Sequence, residues 1–140
     1  MKLMELLEKG LIKEQPVDPE EIRGSIILAE RFFDRANGNL EINFYDVAFL
    51  LSYTSMFHAA RALLFKAGYK ERTHFAIIEA LRETYKSDGE IQDFLNVLDN
   101  YRLTRHAIQY NGELSNELDA VQSLKDAEIF ITLVKRKLKL

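Results

Sequence analysis

The stretch Tyr101–Gly112, YRLTRHAIQYNG, gathers two arginines, a histidine and two tyrosines at what reads as a helix end. Guanidinium groups grip phosphate oxygens through forked N–H donors. An imidazole with an ordinary pKa near 6.5 can move protons at neutral pH. Metal-independent RNA cleavage needs a base for the 2′-hydroxyl, an acid for the leaving oxygen and a cation for the phosphorane charge. Tyrosine titrates near 10, so it is a poor base at neutral pH but can donate a hydrogen bond. On an α-helix Arg102 and His106 lie about 40° apart and one turn up, and Tyr110 continues that face. Arg105 sits about 140° from Tyr110, beside the ridge unless the helix unwinds at Asn111-Gly112. The competing reading is structural. Arg102 and Arg105 would pair with acidic residues while His106 and Tyr110 cover the bundle end.

Other chemistry-bearing residues are sparse. His58 and Arg61 are three apart on a strongly apolar helix, so they share a face. A charged arginine there needs a partner. A structural ion pair or a dimer-interface cluster satisfies that need, and so does a second wall of the same groove. His74, beside the candidate cap Thr73, reads as a surface helix-start residue. The three histidines show neither H-x-x-x-H nor H-E-x-x-H spacing, so no metal is expected. No glycine-rich phosphate loop or G-x-S-x-G elbow is present, and no cofactor is expected. The nine phenylalanines, Phe32, Phe33, Phe44, Phe49, Phe57, Phe65, Phe75, Phe94 and Phe130, read as core.

The elements that must position these residues are helical. The chain has 140 residues and 47% apolar content, enough for one domain over 1–140 with one sizeable core. It has no cysteine, and its first fifteen residues lack a signal peptide's apolar centre, so a cytoplasmic protein is expected. Net charge is −3, which argues against a general nucleic-acid coat but leaves room for a local basic site. The basic terminus VKRKLKL (Lys135, Arg136, Lys137, Lys139) complements a helix dipole. Val47–Phe65 approaches a membrane span in length. His58 and Arg61 at mid-span make a helix buried in protein the better reading, and no membrane partner is expected.

Periodicity and caps predict six helices and no strand. The first covers about Lys2–Lys9. Asp18, Pro19 and Glu21 start the second as cap, N1 and N3 of a capping box, with Ile22, Ile26, Ala29, Phe33 and Ala36 inward. The third runs from near Asn43, with Asp46 at N3, to Lys66; apolar nearly all round, it should be central. The fourth covers Thr73–Lys86, with Ile77, Leu81 and Tyr85 in register. The fifth covers Glu90–Tyr110, with Ile91, Leu95, Leu98, Leu103 and Ala107 inward. The sixth follows Ser115, with Leu118, Val121, Leu124, Ile131, Val134 and Leu138 recurring. Gly10, Gly38, Gly68, Gly89 and Gly112 read as C-caps, and Gly24 alone falls inside a helix. Short connections suggest that consecutive helices pack antiparallel.

Three blocks carry a family resemblance: YDVAFLLSYTSMFHAARALLFKAGY with THFAIIEAL, then LDNYRLTRHAIQYNG, then SNELDAVQSLKDAEIFITLVKRKL. Together they resemble the HEPN family in its small prokaryotic stand-alone form, over roughly Asp18–Leu138. The resemblance implies an all-α antiparallel bundle of five to six helices, like nucleotidyltransferase substrate-binding subunits, often dimeric. Active HEPN ribonucleases carry an arginine, four to six residues, then a histidine. Aligned on that motif, Arg105 takes the arginine place, His106 the polar place, and Tyr110 stands where the histidine would be. The catalytic candidates are therefore Arg105, His106 and Tyr110, and the nucleotide or RNA contacts Arg102, Arg105, His106, Tyr110 and Asn111. Tyr53, His58 and Arg61 would line the groove or serve structure. The resemblance also implies a minimal nucleotidyltransferase partner in a toxin–antitoxin-like pair. Tyr110 in place of histidine favours an accessory binding subunit over a ribonuclease toxin. A purely structural dimeric protein is the third reading.

Overall fold

A helix that is apolar all round must be covered all round, and this requirement organises the molecule. The computed structural model describes all residues, Met1–Leu140. Its helix α3 (Tyr45–Lys66) buries thirteen side chains, from Ala48 to Phe65. By length and hydropathy α3 could cross a membrane, yet 67% of its apolar stretch is buried inside the fold. α2 (Pro19–Glu41) makes the most extensive packing against it, and α6 (Glu117–Leu138) the next. α4 (His74–Thr84) and α5 (Gly89–Asn111) cover the remaining side, with short α1 (Leu3–Glu8) against α4. The result is the expected all-α helical bundle.

Hydrogen bonds fix α2 on α3 where their backbones approach. The hydroxyl of Ser25 donates to the carbonyl of His58 at 2.8 Å, and that of Ser55 to Ala29 at 2.6 Å. Each bond satisfies a buried serine that would otherwise be costly. On the far side, the Phe94 and Phe130 rings stack at 4.1 Å between α5 and α6.

The caps largely follow the sequence. Asp18, Thr73, Asp88 and Asn116 each accept a backbone N–H at the start of α2, α4, α5 and α6. Glu21 does not close the predicted capping box; its carboxylate takes the Gln15 side-chain amide instead. Gly10, Gly68 and Gly112 have positive φ at turns, as expected of caps. Gly38 does not: α2 continues through it to Glu41, and Asn43 at φ 64° makes the stop. Gly89 opens α5 rather than ending α4, because Asp88 caps the next helix. The start of α3 shifts as well. Phe44 is its cap without a side-chain bond, which puts Asp46 at N2.

Three further expectations are corrected. A small antiparallel ribbon exists, β1 (Ile12–Glu14) paired with β2 (Tyr69–Glu71), in the register Ile12↔Glu71, Lys13↔Lys70 and Glu14↔Tyr69. Three residues per strand are too few for an alternation to register. Consecutive helices α5 and α6 run antiparallel as expected, with Glu90, Phe94 and Tyr101 meeting Arg136, Phe130 and Asp126, but an open groove of about 690 Å³ lies between them while α6 packs more closely on α3 and α2. Leu103 and Leu118 face solvent at 56% and 76% exposure, not the core. Phe44 and Phe75 are also exposed.

Candidate functional site

The C-terminal half of α5 meets the middle of α3 and the first turn of α4. Asp88 starts α5, and Leu95 and Leu98 press it onto the core. That contact sets which side chains of the last two turns face inward. Arg105 is one of them. Its guanidinium lies over the Tyr53 ring, 5.4 Å from the centroid, and one nitrogen donates to Gln109 at 2.9 Å. Its Nε is buried without a protein partner. Arg102 lies over Phe75 at 5.7 Å and pairs with Asp99 at 2.9 Å. Arg105 has no carboxylate, so its charge is the less compensated of the two.

The predicted ridge is therefore divided. His106 and Tyr110 do share a face, with ring centroids 4.8 Å apart, and both are exposed. Asn111 ends α5 beside them, exposed, and Gly112 closes the helix at φ 73°. Arg102 and Arg105 instead lean toward α3 and α4, because their long side chains reach the aromatic surface there.

Under Arg105 lies a residue the sequence reading set aside. His74 is half-buried, not a surface helix-start residue. Thr73 does cap α4, accepting from the Ala76 amide at 3.1 Å, but α4 starts against α3. Nδ1 of His74 is 2.8 Å from the Tyr53 hydroxyl, and its ring stacks on Phe57 at 3.9 Å. No local signal marks this contact; it requires α4 to run back along α3. Phe57 also touches His58, 5.5 Å away, whose other face stacks on Phe32 at 5.4 Å. Nδ1 of His58 is buried and unpaired.

Arg61 lies apart from this row. Its Nε donates to Glu71 on β2 at 3.0 Å and its guanidinium lies over Phe65. The structural ion pair, open as one alternative in the sequence, is thus made within the chain. The basic terminus is similarly engaged, with Lys135 on Glu30, Arg136 on Glu90 and Lys137 on Asp88 and Glu90.

Burial and crowding by cations set the proton affinities. Burial lowers His74 to about 4, and Arg105, His58, Arg102 and Arg61 add to the effect. Burial also lowers His58, with Arg61 contributing. Tyr53 is pushed up to about 12 by burial, against the pull of Arg105 and Arg102. At neutral pH the site thus holds two guanidiniums, neutral imidazoles and a protonated phenol. Such a set can bind an oxyanion by charge and by N–H and O–H donors. No three His, Cys, Asp or Glu side chains converge on a metal position.

His74 predicts an acid sensitivity. Its folded-state pKa lies below the unfolded value near 6.5, so the unfolded chain takes up the proton first. Stability from this residue is complete above about pH 6.5 and is lost as the pH falls toward 4. The expected loss is on the order of 1–2 kcal/mol, discounted for the solvent reaching a half-buried ring. Urea midpoints at pH 7 and pH 4.5 in wild type and His74→Gln check it. Equal acid losses in both proteins would refute the assignment.

Comparisons with known proteins agree with this architecture. A UPF0332 protein of Archaeoglobus fulgidus is 31% identical over 118 residues, covering 83% of this chain and 94% of the relative. A Methanocaldococcus jannaschii protein named "Putative toxin MJ0605" is 27% identical over 122 residues, covering 86% and 90%. The model of the HEPN domain matches residues 22–137, which contain α3, α4, α5 and the whole Arg105 site. On that match, and on the helical bundle that carries it, the chain belongs to the HEPN domain family.

Proposed function

We propose that this protein is the HEPN subunit of a toxin–antitoxin-like pair, binding a nucleotide or RNA phosphate and acting with a minimal nucleotidyltransferase. The observation that carries the reading is Arg105. It is a guanidinium without a carboxylate, leaning over Tyr53 beside Arg102, on the helix that also presents His106 and Tyr110. The relative named as a toxin supports the toxin-like half of the reading.

A homodimer completes the proposal. Tyr110, Leu114 and Leu118 are 63%, 86% and 76% exposed around the α5–α6 turn, with Leu103 two turns back on the Tyr110 face of α5. Apolar exposure of that kind favours burial against another chain. Two copies meeting there would bring two His106–Tyr110 faces toward one groove.

The test is a pair of assays on purified protein in EDTA. Labelled RNA is expected to bind without being cut, and Arg105→Ala, shown to be folded, to weaken binding tenfold or more. That factor equals about 1.4 kcal/mol, modest for a charge-assisted phosphate contact. Cutting abolished by both Arg105→Ala and His106→Ala would replace this reading with the ribonuclease one. Neither binding nor cutting, together with a dimer sensitive to Leu118→Glu, would favour a structural interaction protein.

A further inference from the structure

We propose that His74 is the working imidazole of the site. It contacts a phosphate oxygen of the nucleotide or RNA through Nε2, with Tyr53 as the positioning residue that holds its ring beside Arg105. The inference rests on the phosphate-binding reading above and extends it to a residue outside the Arg102–Tyr110 segment.

The geometry comes from three elements. α4 presents His74 in its first turn, α3 presents Tyr53, and α5 lays Arg105 over the Tyr53 ring. The Tyr53 hydroxyl, at 2.8 Å, occupies Nδ1. Phe57, stacked at 3.9 Å, blocks one ring face. Nε2, on the opposite edge, has no protein hydrogen bond and is not among the sealed polar atoms. When Tyr53 donates to Nδ1, the imidazole proton sits on Nε2, where it can donate to an anion. Arg105 supplies the charge. Its buried Nε has no partner within the fold, and unpaired buried polar atoms cluster where a protein does chemistry or binds.

The surrounding charges favour an anion. On α3, His58 and Arg61 are near enough to lower the proton affinity of His74, and Glu71 of β2 already takes Arg61. On α5, Asp99 is taken by Arg102. The N-terminal amine and Lys2, just ahead of α1, pair with Glu79 and Glu83 further along α4. No carboxylate is therefore left free beside His74 to compete with a phosphate. An incoming anion opposes the local balance that keeps His74 neutral, so binding raises the proton affinity of this ring.

Nitrogen-15 NMR of the histidine and arginine side chains tests the inference on the full chain, with 5′-AMP and a short single-stranded oligoribonucleotide as separate probes. The expected result is a shift of the His74 Nε2 signal on addition of either probe. Its apparent pKa should also rise by about one unit or more, a tenfold gain in proton affinity. A response to 5′-AMP alone assigns the contact to a terminal phosphate, and a response to the oligomer assigns it to a phosphodiester. Tyr53→Phe should leave the fold intact but lose the single tautomer in the His74 spectrum and weaken binding at least threefold. If a probe shifts Arg105 Nε while His74 stays unmoved, the His74 assignment is wrong and the phosphate-binding reading survives. If neither signal moves at saturating probe, both fail.

Discussion

Replacing Phe130 with alanine is expected to remove about 3–5 kcal/mol of stability, the largest single effect in this molecule. Phe130 is fully buried, and its ring lies almost parallel to Phe94 at 4.1 Å. It occupies the place where α6 turns its apolar stripe toward α3 and reaches across to α5. The other contacts between α5 and α6 include the polar ones of Tyr101 with Asp126 and of Arg136 and Lys137 with Glu90, so this ring pair is the stacked apolar link between them. Truncation loses the buried area of a phenyl group and leaves a cavity that two separated helices cannot easily close. Most domains of this size have only about 5–15 kcal/mol in total. Urea unfolding should show a much lower midpoint with an unchanged slope. A loss under about 1 kcal/mol would mean that α6 is held chiefly by α2 and α3. Phe130→Leu, which keeps most of the volume, should cost much less.

Arg61→Ala is expected to cost about 2–3 kcal/mol, through its partner more than through itself. The Glu71 side chain is only 8% exposed, and Arg61 donates to it at 3.0 Å. Deleting the cation leaves a carboxylate in a poorly hydrated place, which for a fully buried pair costs about 3–5 kcal/mol. The partial exposure of Arg61, 24%, lowers that figure. The alanine also gives up the contact of the guanidinium with Phe65 at 5.1 Å. The double variant Arg61→Met with Glu71→Gln should recover more than half of the loss, because no unpaired charge remains. Additive losses in the double variant would show that the pair carries no coupling. The same variant separates structure from binding. Arg61 acts within its own chain, so its removal should leave phosphate affinity within about twofold after correction for the folded fraction.

How much of this was legible in the sequence differs by element. The helices of α2, α4, α5 and α6 were, because a cap residue and a repeating apolar stripe are both local patterns. The stripe failed at Leu103 and Leu118. Both fit the three- and four-residue steps, yet no neighbouring helix covers them and they stand in solvent. The ribbon of β1 and β2 was illegible for a different reason. Its pairing joins residues nearly sixty positions apart with only three residues per strand.

The candidate site shows the same division. The sequence by itself determined that Arg102, Arg105, His106 and Tyr110 share one helix end, that α3 is central, and that the three motif blocks belong to one family. Each of these follows from spacing along a single helix or from residue order. Only the tertiary structure decided that Arg105 leans inward over Tyr53 while His106 and Tyr110 face outward. It alone brought His74 to Tyr53, joined Arg61 to Glu71, and left a groove between α5 and α6. The physical reason is that periodicity specifies which face of a helix is apolar, but not which neighbour covers it. That choice depends on how α3, α4 and α5 cross, and the chemistry of this site lies at their crossing.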